Sequence, residues 1–182
     1  HGINVTVPFK NKVIKYLDKL SLEVETTGSV NTIYKNGDDI IGHNTDVAGF
    51  ELGLRHSKID VLHKSILILG SGGVVPSIIY SLLSMGCKKI FLSNRTIEKA
   101  ENIKKKFNEI EVLKWGKIPD FDIVINATSV GLKGDSLDLD LKTKDKIFYD
   151  IIYNPKETQF LKKAKENGNR IENGIFMFIY QA

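Results

Sequence analysis

Residues after position 64 alternate between short apolar runs and longer segments in which apolar residues recur every three or four positions. Ser65–Leu69 is a continuous apolar run typical of a buried strand, and the segment Val74–Met85 predicts the helix that follows it. Strands that alternate with helices in this way predict an α/β fold with a doubly wound parallel sheet, of the Rossmann-like kind. The other elements predicted here are strands at Lys89–Ser93, Glu111–Leu113, Asp122–Ile125 and Ile147–Tyr149, and helices at Ile97–Phe107 and Thr158–Asn167.

The pattern before position 58 predicts a smaller α/β unit. Val5–Val7 alternates between apolar and polar residues as a strand does, and Pro8 is suited to the first turn of a helix. Asn36-Gly37 lies between two apolar runs and predicts a β-hairpin. Thr45 or Asp46 is expected to cap the helix after it. The apolar residues expected on the first of these two helices are Val13, Ile14, Leu17 and Leu20.

These patterns divide the chain into three expected parts. Residues 1–57 would form part of a smaller α/β domain, residues 58–173 the Rossmann-like domain, and residues 174–182 the start of a C-terminal helix that returns to the smaller domain. The chain begins with His1 inside an alternating pattern and stops at Ala182 within an apolar stretch. We therefore expect it to be the interior and C-terminal part of a longer protein.

Composition and charge narrow the possible functions. The chain has 182 residues with 42% hydrophobic and 26% charged, as in ordinary globular domains, and its apolar runs are too short to span a membrane. The net charge of +4 comes from lysines spread over predicted helices, so no nucleic-acid partner is expected. The single cysteine, Cys87, excludes an internal disulfide and fits the reducing cytoplasm. The histidines lack metal-ligand spacing, so no metal site is expected.

Gly70-Ser71-Gly72-Gly73 joins a predicted buried strand to a predicted helix, which is where dinucleotide-binding proteins place their phosphate loop. The first glycine permits the tight turn, the second lets the backbone approach a pyrophosphate, and the helix N-terminus attracts its charge. Val75 replaces the third glycine of the G-x-G-x-x-G pattern. A tight turn that binds no ligand is the alternative interpretation.

The end of the next predicted strand indicates which dinucleotide would bind. NAD enzymes usually carry Asp or Glu about 20 residues after the loop, where it binds the ribose 2′-hydroxyl. Here Asn94-Arg95-Thr96 follows the strand and contains no acid. Arg95 can bind a 2′-phosphate, and Thr96 can donate hydrogen bonds to it. These residues predict NADP; otherwise Arg95 is a surface cation and Thr96 merely caps a helix.

Three polar clusters interrupt the regular pattern outside the predicted Rossmann-like domain: Asn4–Lys10, Gly28–Thr32 and Gly42–Asp46. Lys10 is expected at a helix N-terminus, where a cation opposes the helix dipole and lowers stability. A lysine in such a place, near carboxamides and a carboxylate, is a candidate acid–base residue.

Taken together, these motifs resemble the shikimate dehydrogenase family over essentially the whole chain. No single motif is specific, but their order and spacing are. The matching motifs are Asn4–Lys10 (N-V-T-x-P-x-K), Val30–Thr32, Gly42–Asp46, the Gly70 loop, Asn94–Thr96, Ile125–Thr128, Tyr149-Asp150, Tyr153–Pro155 and Gln181-Ala182.

The resemblance implies NADP-dependent, reversible reduction of 3-dehydroshikimate to shikimate in aromatic amino-acid biosynthesis, by a monomer or homodimer. Lys10 would be the catalytic lysine and Asp46 its carboxylate partner, and both would contact substrate. Further substrate contacts are implied for Thr6, Asn31 and Gln181. The implied cofactor residues are Gly70, Ser71, Gly72, Gly73 and Val74 at the pyrophosphate, Asn94, Arg95, Thr96 and Lys99 at the 2′-phosphate, and Ile151, Tyr153 and Gly174 near the nicotinamide.

The chain departs from the family pattern at two places. Val74, Val75 and Pro76 follow the glycine loop where small residues are usual. Phe176 replaces a glycine expected two residues after Gly174, which puts the packing near the nicotinamide in question. The paired serines that bind the substrate carboxylate in the family would lie upstream of residue 1.

Alternative functions remain at this point. A quinate/shikimate dehydrogenase-like paralogue could use another substrate or NAD, and a regulatory module could bind NADP without catalysis. The retained Lys10 and Asp46 argue against such a module. Glutamyl-tRNA reductase shares a similar cofactor pattern, but it would not account for Asn4–Lys10 or for Asn44–Asp46.

Overall fold

Two β-sheets built from different stretches of the chain organise the molecule. In the computed structural model, which describes residues 1–182, a four-stranded sheet comes from residues 2–43 and a six-stranded sheet from residues 65–173. This division resembles the expected one, whose exact boundaries stay predictions.

The smaller sheet contains β1 (Gly2–Asn4), β2 (Lys19–Leu20), β3 (Thr32–Asn36) and β4 (Asp39–His43), in the spatial order β1-β3-β4-β2. Helix α1 (Leu22–Thr27) connects β2 to β3 and was not predicted. β3 and β4 form the predicted hairpin: Asn36 pairs with Asp39, and Gly37 has a φ of +63°, which favours glycine. The hairpin prediction is therefore confirmed.

The segment from Val5 to Leu20 does not form the predicted strand and helix. Pairing ends one residue after β1, where the Val5 N–H donates to the Asn31 carbonyl (2.7 Å), and a turn follows. Only a short 3₁₀ helix (Ile14–Tyr16) forms, because the chain extends at Leu17 to enter β2, which pairs with β4. The predicted apolar positions Val13, Ile14, Leu17 and Leu20 nevertheless pack against the cluster of Val24, Val30 and Ile33.

The larger sheet has the strand order and direction of a Rossmann fold. Its six strands, numbered by their order along the chain, lie side by side in the order sixth, fifth, fourth, first, second and third. Every neighbouring pair is parallel. The predicted fold class is confirmed. The strands are β5 (Ser65–Leu69), β6 (Lys89–Ser93), β7 (Glu111–Leu113), β8 (Ile123–Asn126), β9 (Ile147–Asp150) and β10 (Arg170–Asn173), of which β10 was not predicted.

Five further helices flank the sheets, and none of them has both the length and the apolar character needed to cross a bilayer. The helix that begins at Ile97 ends at Lys104, three residues before its predicted end at Phe107. The helices are α2 (Thr45–His56), α3 (Val75–Ser84), α4 (Ile97–Lys104), α5 (Gln159–Glu166) and α6 (Ile175–Gln181).

The apolar core joins the two parts of the chain through α2. Side chains of β5 alternate between faces, so Ile66 and Ile68 pack on one side of the sheet while Leu67 packs on the other, in the cluster that includes α5. Phe50 and Leu54 of α2 belong to the first cluster, together with residues of α3 and α6. Helix α2, which follows the small sheet in sequence, is therefore part of the core of the large one.

Helix α6 lies unusually close to α2 because α2 carries two glycines on that face. A Cβ added at Gly49 would lie 2.6 Å from the Gln181 Cβ and 2.8 Å from its backbone nitrogen, and one at Gly53 would lie 2.9 Å from the Met177 nitrogen. The contact continues to the end of α2, where the His56 Nδ1 and the Tyr180 hydroxyl share a hydrogen bond of 2.9 Å.

Gly49→Ala should lower the free energy of unfolding by about 1–2 kcal/mol. The added Cβ would meet the Gln181 backbone below 3.0 Å, so the overpacking cost falls in the upper part of its usual range, about 2–3 kcal/mol, and the higher helix propensity of alanine returns about 1 kcal/mol. Urea denaturation measures the difference, and Ala48→Ser on the exposed face of the same helix is the control, with an expected change within about 0.5 kcal/mol. A Gly49→Ala variant as stable as the parent would contradict the close packing of α6.

Cys87 should react slowly with thiol reagents while the protein is folded. Burial raises the pKa of the Cys87 thiol to about 11 from an ordinary value of 9.0, and the thiolate is the reactive form. At pH 8 the folded protein should therefore react about 100-fold more slowly with iodoacetamide than the urea-unfolded chain, since two pKa units separate the thiols. Equal rates would show that the thiol is solvated.

Candidate active site

Lys10 and Asp46 form an ion pair between the small sheet and α2. The Lys10 Nζ lies 2.5 Å from the Asp46 Oδ2, and the two side chains are 16% and 7% exposed. The Lys10 backbone is held where its carbonyl accepts from the Val30 N–H at 2.8 Å. Lys10 lies in a turn and not at a helix N-terminus, so the interpretation based on the helix dipole was wrong. The pairing with Asp46 agrees with the prediction.

Asn31 holds the other oxygen of the Asp46 carboxylate. Its Nδ2 donates to the Asp46 Oδ1 at 3.0 Å and to the Thr45 Oγ1 at 2.9 Å, and its Oδ1 accepts from the Thr45 N–H at 2.9 Å. The Thr45 hydroxyl donates to the carbonyl of Gln181 at 2.6 Å, which ties the end of α6 to the same place. The structure thus brings together four of the residues predicted at the substrate: Lys10, Asn31, Asp46 and, through its backbone, Gln181.

The N-terminus of α2 is capped by Asn44, and neither Thr45 nor Asp46 is the cap. The Asn44 Oδ1 accepts from the backbone N–H of Asp46 at 2.9 Å and from that of Val47 at 3.4 Å. Asn44 can do this because its own backbone is extended, whereas Thr45 and Asp46 are already helical. Asp46 therefore sits in the first turn, where the helix dipole favours its negative charge.

A cleft of about 530 Å³ opens beside the ion pair, between the two parts of the chain. It lies at the carboxyl ends of β5, β8 and β9, where ligands of open parallel sheets bind. Thr6, which is exposed, and Lys10 reach it from one side. The residues that line it from the other side include Gly72, Gly73, Val74, Thr128, Ile151 and Tyr153.

The Gly70 loop has the geometry of a phosphate cradle. Gly70 has a φ of +109°, and a Cβ there would lie 2.8 Å from the Ala127 carbonyl oxygen. A Cβ added at Gly72 would lie 3.8 Å from its nearest atom, the Ala127 carbonyl oxygen, and one added at Gly73 would lie 3.9 Å from the Val7 Cγ2. Space therefore remains beside both glycines. The N–H groups of Ser71, Gly72 and Gly73 make no hydrogen bond to another residue. These donors and this space fit a pyrophosphate at the start of α3.

Val75, at the third position of the glycine pattern, faces away from the cradle. Its side chain is fully buried in the cluster that joins α2, α3 and the large sheet. A glycine is needed there only if helix and strand approach too closely for a side chain. The departure at Val75 therefore changes core packing and leaves the cradle open.

The residues predicted at the 2′-phosphate lie together after β6. The Asn94 Nδ2 donates to the Thr96 carbonyl at 2.7 Å and shapes the turn. Thr96 precedes α4 without capping it through its side chain, and Arg95, Thr96 and Lys99 are exposed. Two cations and a hydroxyl free to donate fit a phosphate monoester.

Of the residues predicted near the nicotinamide, Ile151 and Tyr153 line the cleft, and Gly174 packs behind them against Ile151. Tyr153 stacks on Phe178 of α6, with ring centroids 4.4 Å apart. A Cβ at Gly174 would lie 2.0 Å from the Ile151 carbonyl oxygen, so only glycine fits at that position. Phe176 stacks on His56 at 3.7 Å, so this departure from the family pattern packs against α2 and not into the cleft.

A buried polar network supports the floor of the cleft. The Asp150 carboxylate, which is fully buried, accepts from the Thr158 hydroxyl at 2.6 Å and from the Asn126 Nδ2 at 3.1 Å. Burial raises the pKa of the Asp150 carboxyl, and these donors oppose that rise. The Asn126 Oδ1 accepts in turn from the Thr128 hydroxyl at 2.7 Å, which fixes a residue that lines the cleft.

The sequence predicted no role for Asn44 or Ser29 and only helix capping for Thr45, although all three lie in the polar clusters described above. The Ser29 hydroxyl donates to the Gly73 carbonyl at 3.4 Å, across the two parts of the chain. The motif showed that these positions are polar, but the partners are distant in sequence and only the folded chain reveals them.

Comparisons with known proteins agree with this geometry. The family model described as shikimate / quinate 5-dehydrogenase matches residues 53–133, and that of the shikimate dehydrogenase substrate binding domain matches residues 1–33. A shikimate dehydrogenase (NADP(+)) of Pelagibacter ubique (strain HTCC1062) is 55% identical over 185 residues, which cover 100% of this chain and 70% of that protein.

Two solved structures share the fold over almost the whole chain. Shikimate 5-dehydrogenase from Thermus thermophilus, in complex with NADP(H) and shikimate, is 29% identical with a TM-score of 0.89, over 99% of this chain and 69% of that one. Quinate dehydrogenase from Corynebacterium glutamicum, in complex with NAD, is 29% identical with a TM-score of 0.90, over the same shares of 99% and 69%. Because a relative 55% identical aligns with the whole chain and both of its parts match models of one family, this chain belongs to the shikimate dehydrogenase family.

Proposed function

We propose that this chain carries out the reversible, NADP-dependent reduction of 3-dehydroshikimate to shikimate, with Lys10 as the acid–base residue. The observation that supports this most strongly is the Lys10–Asp46 ion pair. It lies at the edge of a cleft that is also lined by Gly72 and Gly73 of the Gly70 loop. The name and 55% identity of the Pelagibacter relative support the substrate and the cofactor.

Lys10 supplies the proton in this mechanism. In the reduction direction its Nζ donates a proton to the oxygen of the substrate carbonyl, which becomes a hydroxyl; in the oxidation direction it takes that proton back. Asp46 holds the ammonium group in place through the ion pair. When bound, NADPH supplies the hydride at the carbonyl carbon.

Substrate hydroxyls would be bound by the side chains around the ion pair. Asp46 and Lys10 can each contact a hydroxyl group as well as one another, and Asn31 orients the carboxylate from its other oxygen. Thr6 lines the cleft and Gln181 lies at the end of α6 next to Thr45. We assign Thr6, Lys10, Asn31, Asp46 and Gln181 to the substrate site.

The cofactor would extend along the carboxyl edge of the large sheet. Gly70, Ser71, Gly72, Gly73 and Val74 would hold the pyrophosphate, and Ile151, Tyr153 and Gly174 would form the nicotinamide wall. Asn94, Arg95, Thr96 and Lys99 would surround the 2′-phosphate, which supports NADP over NAD.

The structural likeness to a quinate dehydrogenase in complex with NAD makes quinate the relevant competing substrate. The absence of an acid in Asn94-Arg95-Thr96 argues against NAD as the preferred cofactor. An NADP-binding module without catalysis would not need the Lys10–Asp46 pair. We further propose that the protein works as a monomer or homodimer in the cytoplasm, where a lone cysteine stays reduced.

Lys10→Ala should reduce kcat by about 10² to 10⁴-fold, since a positioned acid or base contributes a factor of that size. The dissociation constant of NADPH, measured by fluorescence titration, should stay almost unchanged because the Lys10 ammonium group is paired with Asp46 and not with the phosphate loop. Spectrophotometric assay of shikimate oxidation with NADP gives kcat. Lys12→Ala, an exposed lysine nearby, is the matched control and should keep the parental rate. Retention of half the parental kcat by Lys10→Ala would overturn the assignment.

Arg95→Ala should raise the KM for NADP by about 10- to 150-fold and leave the KM for NAD nearly constant. One charge-assisted hydrogen bond is worth about 1.5–3 kcal/mol, and only NADP carries the phosphate that accepts it. Lys105→Ala, at the far end of α4, is the control and should change neither constant. Equal effects of Arg95→Ala on both cofactors would mean that Arg95 does not bind the 2′-phosphate.

A further inference from the structure

Asn44 is the most extensively hydrogen-bonded side chain near the ion pair, and the proposed mechanism gives it no task. Only 1% of the residue is exposed. While its Oδ1 caps α2, its Nδ2 lies 2.8 Å from the Ser29 carbonyl, 2.9 Å from the Ser77 hydroxyl and 3.2 Å from the Thr27 hydroxyl, three acceptors that share its two N–H groups. One carboxamide therefore contacts two separate segments besides its own helix, the end of α1 with the residues after it and the start of α3.

The contacts of Asn44 flank the catalytic carboxylate on two sides. The Oδ1 holds the backbone N–H of Asp46 itself. The Nδ2 holds the carbonyl of Ser29, two residues before Asn31, whose side chain binds the Asp46 Oδ1. A shift of Asn44 would consequently move both the helix that carries Asp46 and the segment before β3 that carries its hydrogen-bond partner, Asn31.

The contact between Asn44 and Ser77 connects the surroundings of the Lys10–Asp46 pair to the cofactor side of the molecule. Ser77 is fully buried in the first turn of α3, the helix that starts directly after the Gly70 loop. Its own N–H donates to the Val74 carbonyl at 3.0 Å, next to the residues that line the cleft. Asn44 thus links the start of α2 directly to the start of α3.

We propose that Asn44 is a positioning residue that sets the distance and orientation of the Lys10–Asp46 pair relative to the Gly70 loop. The inference rests on the proposed function, because it concerns the alignment of the proton donor with the bound nicotinamide. Reacting groups must be held within about 0.5 Å of the productive geometry, and a misplacement of about 1 Å can cost about 10²-fold in rate.

Two variants separate this task from the capping of α2. Asn44→Ser keeps an uncharged oxygen at the N-cap, where serine and asparagine are about equally favourable, but serine is too short to reach both Ser29 and Ser77. Ser77→Ala leaves the cap untouched and removes only the link to α3. Ser81→Ala is the matched control: Ser81 lies one turn further along α3, is fully buried and donates to the Val47 carbonyl of α2 at 3.0 Å.

We expect Asn44→Ser to lower kcat for shikimate oxidation about 10-fold or more. Ser77→Ala should lower it about 2- to 10-fold, the factor that corresponds to one neutral hydrogen bond. Ser81→Ala should keep the parental kcat, although its Tm should fall as much as that of Ser77→Ala because both variants lose one buried hydroxyl contact. The dissociation constant of NADPH should be unchanged in all three. Parental kcat in Asn44→Ser, or equal kcat values in Ser77→Ala and Ser81→Ala, would overturn the proposal.

Crystal structures of the parent and of Asn44→Ser test the proposal without turnover. The separation between the Lys10 Nζ and the Asp46 Oδ2, or the position of that pair relative to Gly72, should change by at least about 0.5 Å in Asn44→Ser. An unchanged arrangement would refute the positioning role. A parent protein that binds NADPH but does not oxidise shikimate would refute the proposed function alone, and the structural comparison would still decide the role of Asn44.

Discussion

The packing of α2 against the large sheet is the constraint on which the rest of the molecule depends. Phe50 and Leu54 anchor α2 in the core that β5 and α3 share, and Gly49 and Gly53 let α6 lie against its other side. Burial of the Phe50 and Leu54 side chains stabilises the fold by about 1.5–3 kcal/mol each. The N-terminus of the same helix carries Asp46, so the burial that stabilises the fold also determines where the carboxylate of the proposed catalytic pair lies.

The site is assembled from groups that differ in how firmly they are held. Asp46 and Asn31 are nearly buried and hydrogen-bonded on several sides, whereas Arg95 and Lys99 are exposed and have no partner within the chain. This contrast suits the two tasks that we propose for these groups, proton transfer beside Asp46 and phosphate binding at Arg95 and Lys99. Proton transfer requires fixed geometry, which rigid surroundings provide, whereas long cationic side chains can adjust to a phosphate that arrives from solvent.

The departures from the family pattern show which positions tolerate change and why. Val75 replaces a glycine but points into the core, and Phe176 replaces a glycine but stacks on His56. Gly70 and Gly174 are retained because a Cβ at either would collide with a carbonyl oxygen, at 2.8 and 2.0 Å. The positions that must stay small are therefore the ones where backbone meets backbone next to the cleft.

The sequence by itself determined the parallel sheet, the hairpin and the glycine loop, because apolar periodicity and turn chemistry are local properties of the chain. The residue types after β6 pointed to Arg95, whereas the pairing of Lys10 with Asp46 was implied by the resemblance to the family. The sequence pattern misassigned Val5–Leu20, since only pairing with β4 decides that Leu17 extends. It also missed the roles of Asn44 and Ser77, which lie 33 positions apart. Hydrogen bonds between distant residues depend on how the elements pack, and that packing exists only in the tertiary structure.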